Sequence, residues 1–410
     1  MRGNLFLAAA SAALALSAPA GAAVIGRMTP APPLTRERVS EAPSAARAAW
    51  TAYLDRADAA RRRNDAALAS ERLTAPAGPK PPAGDAAASM PLDRPAAWYA
   101  AEGARHIADV IVSFQSPAGG WGKNSPRDGA VRVPGQAWSG EETYVGTIDN
   151  DATITELRFL ARVVTARPSD AAAYRASFVR GVRWLLDAQY PNGGWPQVWP
   201  LAGAYHDAVT FNDNAMAAAL GLLGDVAPGR GDYAFVEPEL RRDAEAAWRR
   251  GLAALLAAQT PAGGWPQQAD TLTLAPVGAR NFEPAALTSA ETADILLFLM
   301  SLPAPSPEVV RAVHAGAGWL AATPVRDKAW PRAAPSGVRQ LIDQPGGPPL
   351  WSRYYDLATG RPIFGDRDRT IHDDVEEISA ERRNGYNWYS PGPAKALARY
   401  EAWSQAHPRR

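Results

Sequence analysis

The chain has 410 residues, with 43 basic and 42 acidic side chains and a formal net charge of +1. This balance gives no basis for a general electrostatic attraction to nucleic acid. The chain contains no cysteine, which excludes disulfides and thiolate chemistry, so any metal ion would be held by oxygen ligands or histidine.

The first 23 residues have the organisation of a secretory signal peptide. A short basic region precedes an apolar run from Leu5 to Leu16, and Ala20, Gly21 and Ala22 supply the small residues of a cleavage site. The run is too short to span a bilayer, and no later stretch reaches a transmembrane length. We therefore expect a secreted protein, periplasmic or extracellular, that does not enter a membrane.

Residues 24–90 are rich in alanine, proline and charged side chains, and are predicted to form an N-terminal helix and a linker. The helix is predicted from Glu37 to Arg72, and the stretch from Thr74 to Gly84 has the composition of a polyproline-like linker. A pattern of buried helices follows, so residues 91–410 are predicted to form a single catalytic domain.

A seven-residue motif occurs three times in this domain. The segments Gln115–Trp121, Gln189–Trp195 and Gln259–Trp265 share the pattern Gln-x-Pro-x-Gly-Gly-Trp, and their tryptophans are 74 and then 70 residues apart. A degraded fourth copy is predicted at Lys328–Pro331. Such a period is typical of a repeat architecture.

Each motif follows one apolar segment with helical spacing and precedes another. Proline cannot continue a helix and glycine permits a tight exit, so each motif is predicted to be a loop at a helix C-terminus. The second helices are predicted at Ala152–Val164, Asn214–Leu223 and Ser289–Leu302. We therefore expect an all-α fold with minor β structure, in which helical hairpins form an incomplete ring with the loops on one rim.

Two clusters of acidic and amide side chains precede the second helices of the first two copies. They are Asp149–Asp151 and Asn212–Asn214. A single Asp or Asn at such a place commonly caps a helix, but three oxygen-bearing side chains exceed what capping requires. The clusters are predicted to face each other, where carboxylates can share a proton, act as acid and base, or bind a hard cation such as calcium.

Arginines and aromatic residues follow in the third copy and the C-terminal part. The third copy has Arg280 where the others have a carboxylate, and a surface ion pair with Glu283 is the simplest alternative role for it. Arg353, Arg367 and Tyr386 lie in segments that combine arginine with aromatic rings. Guanidinium groups bind carboxylates at two points. The combination favours an anionic sugar polymer whose carboxylates are bridged by a divalent cation.

The ordered set of motifs resembles the pectate lyases of polysaccharide lyase family 10, from about Trp98 to Leu397. Eight motifs in the same order carry the resemblance: Gln115-x-Pro-x-Gly-Gly-Trp-Gly-Lys-Asn124, Thr147-Ile-Asp-Asn150, Tyr190-Pro-Asn-Gly-Gly-Trp-Pro196, Thr210-Phe-Asn-Asp213, Ala279-Arg-x-Phe-Glu-Pro284, Trp351-x-Arg-Tyr-Tyr-Asp356, Pro362-Ile-Phe364 and Glu381-Arg-Arg-Asn-Gly-Tyr386. Asp151 stands where that family has a small residue, and either a calcium ligand or a helix cap would explain it.

The resemblance implies an incomplete (α/α) toroid that cleaves polygalacturonate by calcium-assisted β-elimination, and we expect it to act as a monomer. Carried over by position, it implies the following roles: Asp149 and Asp213 hold Ca²⁺, Arg280 is the base that removes the C5 proton, and Lys123, Asn150, Arg353 and Arg367 bind the substrate.

An arginine base presents a physical difficulty, because a free guanidinium has a pKa above about 12. We expect calcium and the neighbouring Arg353, Arg367 and Lys123 to lower the pKa of Arg280. We also expect the rate to rise above neutral pH and to vanish with a chelator.

Three other functions fit parts of the pattern. An inverting glycoside hydrolase would use Asp149 and Asp213 as acid and base, and should retain activity after Arg280→Ala. A terpene cyclase-like protein would share the repeated Gln-x-x-x-Gly-x-Trp segments, but its apolar substrate fits poorly with an arginine-rich rim and an exported chain. A carbohydrate-binding protein without activity would have no need of all three intact residues, Asp149, Asp213 and Arg280.

Overall fold

The computed structural model describes residues 23–75, 78–332 and 337–409, and helices are its main regular element. In chain order they are α1 (Arg47–Thr74), α2 (Ala96–Tyr99), α3 (Glu102–Ser113), α4 (Ile154–Ala166), α5 (Ala172–Ala188), α6 (Ala215–Val226), α7 (Pro238–Ala257), α8 (Ser289–Leu299), α9 (Pro307–Ala322), α10 (Ala380–Gly385) and α11 (Pro393–Ala406). Apart from Ala23, the predicted signal peptide lies outside the described residues. No helix in the described ranges has both the length and the apolarity needed to cross a membrane.

The strands are short and lie in the loops between the helices. They are β1 (Gly26–Arg27), β2 (Val209–Thr210), β3 (Gln268–Ala269), β4 (Leu287–Thr288), β5 (Lys328–Ala329), β6 (Ile342–Asp343), β7 (Trp351–Ser352), β8 (Tyr354–Tyr355), β9 (Pro362–Gly365), β10 (Thr370–His372) and β11 (Tyr389–Ser390). Strands β1, β10, β9, β8 and β4 form an antiparallel sheet in that order. This sheet joins the N-terminal segment to the loops of the rim.

Consecutive helices pair as hairpins, α4 with α5, α6 with α7, and α8 with α9. Neighbouring hairpins also touch, because α4, α6 and α8 contact one another in series and α5, α7 and α9 do the same. The result is two layers of helices around one large apolar core. The predicted all-α fold with minor β structure and helical hairpins is confirmed, with helix bounds that differ from the prediction by a few residues.

The Gly-Gly-Trp loops are held in place by the same hydrogen bonds in each copy. The indole Nε1 of each motif tryptophan donates to a carbonyl ten residues earlier in the preceding helix: Trp121 to Ile111, Trp195 to Leu185, and Trp265 to Leu255. The motif glutamine ties the loop to the next hairpin; Gln189 Nε2 donates to Gly193 O at 2.9 Å and to Ala247 O of α7 at 2.8 Å. The loops therefore lie at equivalent places on one rim.

The fourth member of this series is Trp351, and the predicted copy at Lys328–Pro331 is wrong. Trp351 donates its indole hydrogen to Leu320 O in α9 at 2.8 Å, as the other motif tryptophans do in their own helices. Trp330 instead packs in a second apolar cluster with Phe282 and Trp388. The inserted β5–β6 hairpin separates α9 from its tryptophan, so the sequence period is lost there.

The N-terminal segment packs on the helical body. Helix α1 begins at Arg47 instead of the predicted Glu37, and Pro43 lies between two short 3₁₀ turns that precede it. Tyr53 OH of α1 donates to Ala188 O of α5 at 3.1 Å. In the described part of the predicted linker, Gly84 N donates to Asn124 O at 3.0 Å. Residues 23–90 are thus in contact with the toroid in the ranges described.

Candidate active site

Two tight turns place the acidic clusters side by side on the rim. Asp149–Asp151 and Asn212–Asn214 are 3₁₀ turns that lead into α4 and α6, and they pack against each other. Asn150 and Asp213 have φ of 51° and 49°, in the left-handed region. Asn and Asp enter this region more readily than most residues, and such strained backbone concentrates at functional sites.

Asn212 links the two acidic side chains. Its Nδ2 lies 3.2 Å from Asp149 Oδ1 and 2.8 Å from Asp213 Oδ2. Burial and the negative charge of Asp149 raise the pKa of Asp213. The predicted pairing of Asp149 and Asp213 across the rim therefore has a physical basis, since both carboxylates share one amide donor.

Lys123 and Asn150 lie at the edge of this acidic centre. Lys123 Nζ forms an ion pair with Asp149 Oδ2 at 2.7 Å and lies 3.7 Å from the ring centroid of Tyr144. The Asn150 amide donates to Asn124 Oδ1 at 2.9 Å and is exposed. A cationic and an amide donor are thus available to an anionic ligand here.

Arg353 lies between strands β7 and β8 and reaches the acidic turns. Its Nη2 lies 3.2 Å from Asn212 Oδ1 and 2.8 Å from Glu291 Oε1. Burial lowers the pKa of Arg353, but the negative charge of Glu291 raises it more, so the net shift is upward. Arg353 is therefore a fixed cation beside the two carboxylates.

Arg280 lies in the loop between β3 and β4 and forms a two-point ion pair with Glu283. Its Nε lies 2.9 Å from Glu283 Oε2, and its Nη2 lies 2.6 Å from Glu283 Oε1. The Glu283 side chain is 1% exposed, whereas that of Arg280 is 49% exposed. The ion pair weighed as the simplest alternative is present, and half of the Arg280 side chain still faces solvent.

The protein's own groups raise the pKa of Arg280 and do not lower it as expected. Burial lowers this pKa, but the hydrogen bonds and charge of Glu283 raise it by more, so the net shift is upward. The neighbouring cations cannot offset Glu283, because each is paired with a carboxylate of its own: Arg353 with Glu291, Arg367 with Glu381, and Lys123 with Asp149.

A continuous series of polar contacts joins Arg280 to the acidic turns. Tyr386 OH donates to Glu283 Oε1 at 2.7 Å and lies 2.7 Å from Tyr354 OH. The series runs in the order Arg280, Glu283, Tyr386, Tyr354, Gln267, Arg353, Asn212 and Asp149. Arg280 is therefore linked to the turns that carry Asp149 and Asp213 through one series of polar contacts.

Arg280 does not stand at the repeat position that the sequence suggested. The backbone N–H groups of Thr147, Thr210 and Thr288 each donate to the carbonyl of their motif tryptophan, which marks equivalent positions. The acidic residue that follows Thr288 is Glu291, in the first turn of α8. Arg280 comes earlier in the chain, from the connection between Trp265 and Thr288.

Arg367, the last of the predicted site residues, lies in the loop between β9 and β10. Its side chain is 60% exposed and forms a two-point pair with Glu381 at 3.1 and 3.0 Å. The buried ring of Phe282 lies 4.9 Å from the guanidinium carbon of Arg280, 5.3 Å from that of Arg367 and 4.4 Å from that of Arg382. Three guanidinium groups therefore lie close to the same aromatic ring.

Sequence reasoning missed Glu291, Gln267 and Tyr144. Glu291 is 2% exposed and is the partner of Arg353, yet in the sequence it resembles any acidic residue in a first helical turn. Tyr144 lies beneath Lys123, and burial raises its pKa to about 12, so its hydroxyl stays protonated up to strongly alkaline pH. Only the tertiary contacts reveal these three residues.

Comparison with known proteins identifies one family. The family model described as pectic acid lyase matches residues 115–397, a range that includes Lys123, Asp149, Asn150 and the other candidate residues. A solved structure of a family 10 polysaccharide lyase from Cellvibrio cellulosa is 31% identical, covers 77% of this chain and 97% of that chain, and has a TM-score of 0.65. A mutant of a family 10 polysaccharide lyase from the same organism, in complex with trigalacturonic acid, is 30% identical, covers 79% and 99%, and has a TM-score of 0.66. Comparison with curated protein sequences gave no significant match.

Proposed function

Since the chain belongs to the pectic acid lyase family and is a pectate lyase, we propose that it cleaves polygalacturonate by calcium-assisted β-elimination with Arg280 as the base. In this reaction the base takes the proton from C5, the C–H electrons form a C4–C5 double bond, and the bond from C4 to the glycosidic oxygen breaks. The leaving oxygen then takes a proton. The observation that carries the proposal is the series of polar contacts from Arg280 to Asp149, because it supports one site for base and cation.

The position of Arg280 suits the role of base, whereas its raised pKa opposes that role. Its side chain is half exposed and is oriented by two hydrogen bonds that it donates to Glu283, so it can meet a sugar at the rim. It must lose its own proton before it accepts one from C5, and Glu283 opposes that loss. The proposal therefore requires a rate that increases with pH well above neutrality.

The proposed substrate contacts are Lys123, Asn150, Arg353 and Arg367. Their ammonium, amide and guanidinium groups are donors suited to the carboxylates of a uronate chain. Arg367 is exposed and already binds a carboxylate at two points, that of Glu381, so a substrate carboxylate could replace this partner. Arg353 is more enclosed and would set the orientation of the sugar next to the acidic turns.

The proposed calcium ligands are Asp149 and Asp213. This cation prefers carboxylate oxygens, and it would relieve both the burial and the negative charge of Asp149 that raise the pKa of Asp213. No group of three or more Asp, Glu or His side chains in the described ranges could hold a metal ion. Calcium takes roughly 6–8 oxygens, so substrate carboxylates and water would supply the others. When bound, it would neutralise the uronate carboxylate and make the C5 proton more acidic.

The family assignment leaves the hydrolase, the cyclase and the inactive binding protein without support. We also propose that the enzyme is exported, since the first 23 residues have signal-peptide character. We propose in addition that it acts as a monomer. The N-terminal sequence of the protein recovered from culture medium or periplasm would test the cleavage at about Ala22 or Ala23.

The decisive experiment measures ultraviolet absorbance of the 4,5-unsaturated product with polygalacturonate as substrate. The wild type should produce the chromophore with calcium and none in excess chelator, and Arg280→Ala should lose nearly all activity in calcium. Reducing ends that appear without absorbance would mean hydrolysis. Full activity in chelator would overturn the metal role, and full activity of Arg280→Ala would overturn the base.

A further inference from the structure

An extended segment near the N-terminus, residues 25–31, crosses the rim beside the site; we name it the N-terminal strap. Its first contact is with the loop that carries Arg367. Ile25 N donates to Ile371 O at 2.9 Å, and Met28 N donates to Arg369 O at 2.8 Å. Strand β1, within the strap, pairs with β10.

The second contact of the strap is with the loop that carries Arg280. Ala31 N donates to Gly278 O at 3.0 Å, and Pro30 forms a bridge with Gly278. The approach is close: a Cβ added at Gly278 would lie 2.6 Å from Thr29 O, 3.1 Å from Met28 Sδ and 3.1 Å from Glu283 O of its own loop. The strap and the Arg280 loop therefore fit together only because residue 278 has no side chain.

The two arginine loops also contact each other, through the residue next to Arg280. Asn281 Nδ2 donates to Arg367 O at 3.2 Å, and Arg369 Nε donates to Asn281 Oδ1 at 3.3 Å. The strap, the Arg280 loop and the Arg367 loop thus each contact the other two. A shift of the strap would move both loops and change the separation of the two guanidinium groups.

The strap adds little to the main core. Met28 and Ala31 are each 4% exposed, yet neither belongs to the two large apolar clusters. The strap also lies outside residues 115–397, which the family model matches. Just after it, the chain is anchored by Leu34 N, which donates to Asp207 Oδ2 at 3.0 Å, and by the 2.8 Å ion pair of Arg38 with Asp270.

We propose that the strap is a positioning element of the active site, which holds the Arg280 and Arg367 loops at their working separation. The inference rests on the proposed roles of Arg280 as base and Arg367 as substrate ligand. Small misplacements of reacting groups lower rates steeply, by up to about a hundredfold for 1 Å. Displacement of the Arg280 loop should lower kcat, and displacement of the Arg367 loop should raise KM.

The test compares Gly278→Ala with Gly26→Ala in the full chain. The first change forces the strap and the Arg280 loop apart, whereas a Cβ at Gly26 has Ile371 Cδ1 as its nearest neighbour at 3.7 Å, an ordinary contact. We expect Gly278→Ala to lower kcat by about tenfold or more while the thermal midpoint falls by only a few degrees. Gly26→Ala should match the wild type in both. Wild-type kcat and KM in Gly278→Ala would overturn the proposal.

Two further variants separate the possible failures. Because a Cβ at Gly278 also presses on Glu283 O, Met28→Ala tests the strap by itself: it removes a strap side chain next to Gly278 without adding a clash, and should lower kcat in the same direction whether or not Gly278→Ala folds. Unchanged kinetics in Met28→Ala would then count against the strap. Adding Gly278→Ala to Arg280→Ala should lower kcat no further, because the base is already absent. Full activity of Arg280→Ala would refute the proposed base and with it the role of the strap, whereas wild-type kinetics of Met28→Ala beside an inactive Arg280→Ala would refute the strap alone.

Discussion

Arg280 and Glu283 form a two-point ion pair in which the glutamate side chain is buried and the arginine side chain is half exposed. The pair orients the proposed base and also keeps it protonated, because the hydrogen bonds and charge of Glu283 outweigh the effect of burial on the pKa of Arg280. The ion pair with Glu283 therefore orients Arg280 toward the substrate but opposes the loss of the proton that Arg280 must give up to act as a base.

Glu283→Gln should shift the rising limb of the pH–rate profile, along which the rate increases with pH, to lower pH. Removal of the negative charge lowers the pKa of Arg280, so a larger fraction is neutral at a given pH. The amide can still accept one hydrogen bond, although maximal kcat should fall because the two-point pair is lost. The measurement is kcat against pH at saturating substrate. Glu381→Gln, which removes the partner of Arg367, is the control and should leave the limb in place. A limb that moves to higher pH would contradict the assignment of Arg280.

Asn212→Ala should weaken the activation of the enzyme by calcium. Asn212 donates to both Asp149 and Asp213, and groups that orient metal ligands in this way typically change metal affinity by roughly 10- to 100-fold when removed. The calcium concentration for half-maximal rate should therefore rise by about this factor. Asn384→Ala removes an amide that bonds Gly337 O instead, and should leave calcium activation unchanged. An unaltered calcium requirement in Asn212→Ala would show that these carboxylates do not hold the ion.

The repeat was predictable because it is local and periodic. Gln, Pro, Gly-Gly and Trp at fixed spacing determine each helix end, and the same spacing places Asp149 and Asp213 before adjacent helices. Prediction failed where the period is interrupted. The insertion between α9 and Trp351 conceals the fourth tryptophan, and the long loop before α8 conceals the fact that Glu291, not Arg280, follows Thr288 at the repeat position. The pairing of Arg280 with Glu283 was visible as a spacing, but its effect on the pKa depends on burial that only the fold provides.

Arg353→Ala and Arg367→Ala should differ in stability although both should weaken substrate binding. Arg353 is the partner of Glu291, whose side chain is 3% exposed, and loss of one member of a buried ion pair costs about 3–5 kcal/mol. The pair of Arg367 with Glu381 is exposed on both sides, so its loss should leave the free energy of unfolding nearly unchanged. Denaturant unfolding gives the stabilities, and KM for polygalacturonate gives the binding. Equal stability of the two variants would mean that Glu291 finds another partner.

Gly181→Ala should destabilise the fold, and Gly221→Ala should not. Both glycines lie in helices, but a Cβ at Gly181 would meet Leu157 Cδ2 at 2.6 Å and the Trp121 ring at 2.8 Å. Such overpacking costs about 1–3 kcal/mol. At Gly221 the nearest atom is the flexible Arg158 Nη2 at 3.4 Å, so the better helix propensity of alanine should stabilise by up to about 1 kcal/mol. Thermal unfolding of the two variants checks this, and destabilisation of both by the same amount would contradict the contact seen at Trp121.

Asp294→Asn should stabilise the protein at neutral pH and have no such effect in acid. Burial first, and then the charges of Glu291 and Asp213, raise the pKa of Asp294 to about 6, well above its value in an unfolded chain. Ionisation is therefore harder in the folded state, so the free energy of unfolding falls as pH rises from about 4 to about 6 and is level above that. Asparagine carries no charge, so the variant should gain on the order of 2 kcal/mol at pH 7.5. Urea unfolding in chelator at about pH 4 and pH 7.5 makes the comparison without calcium. An equal gain at both pH values would assign the effect to packing instead of ionisation.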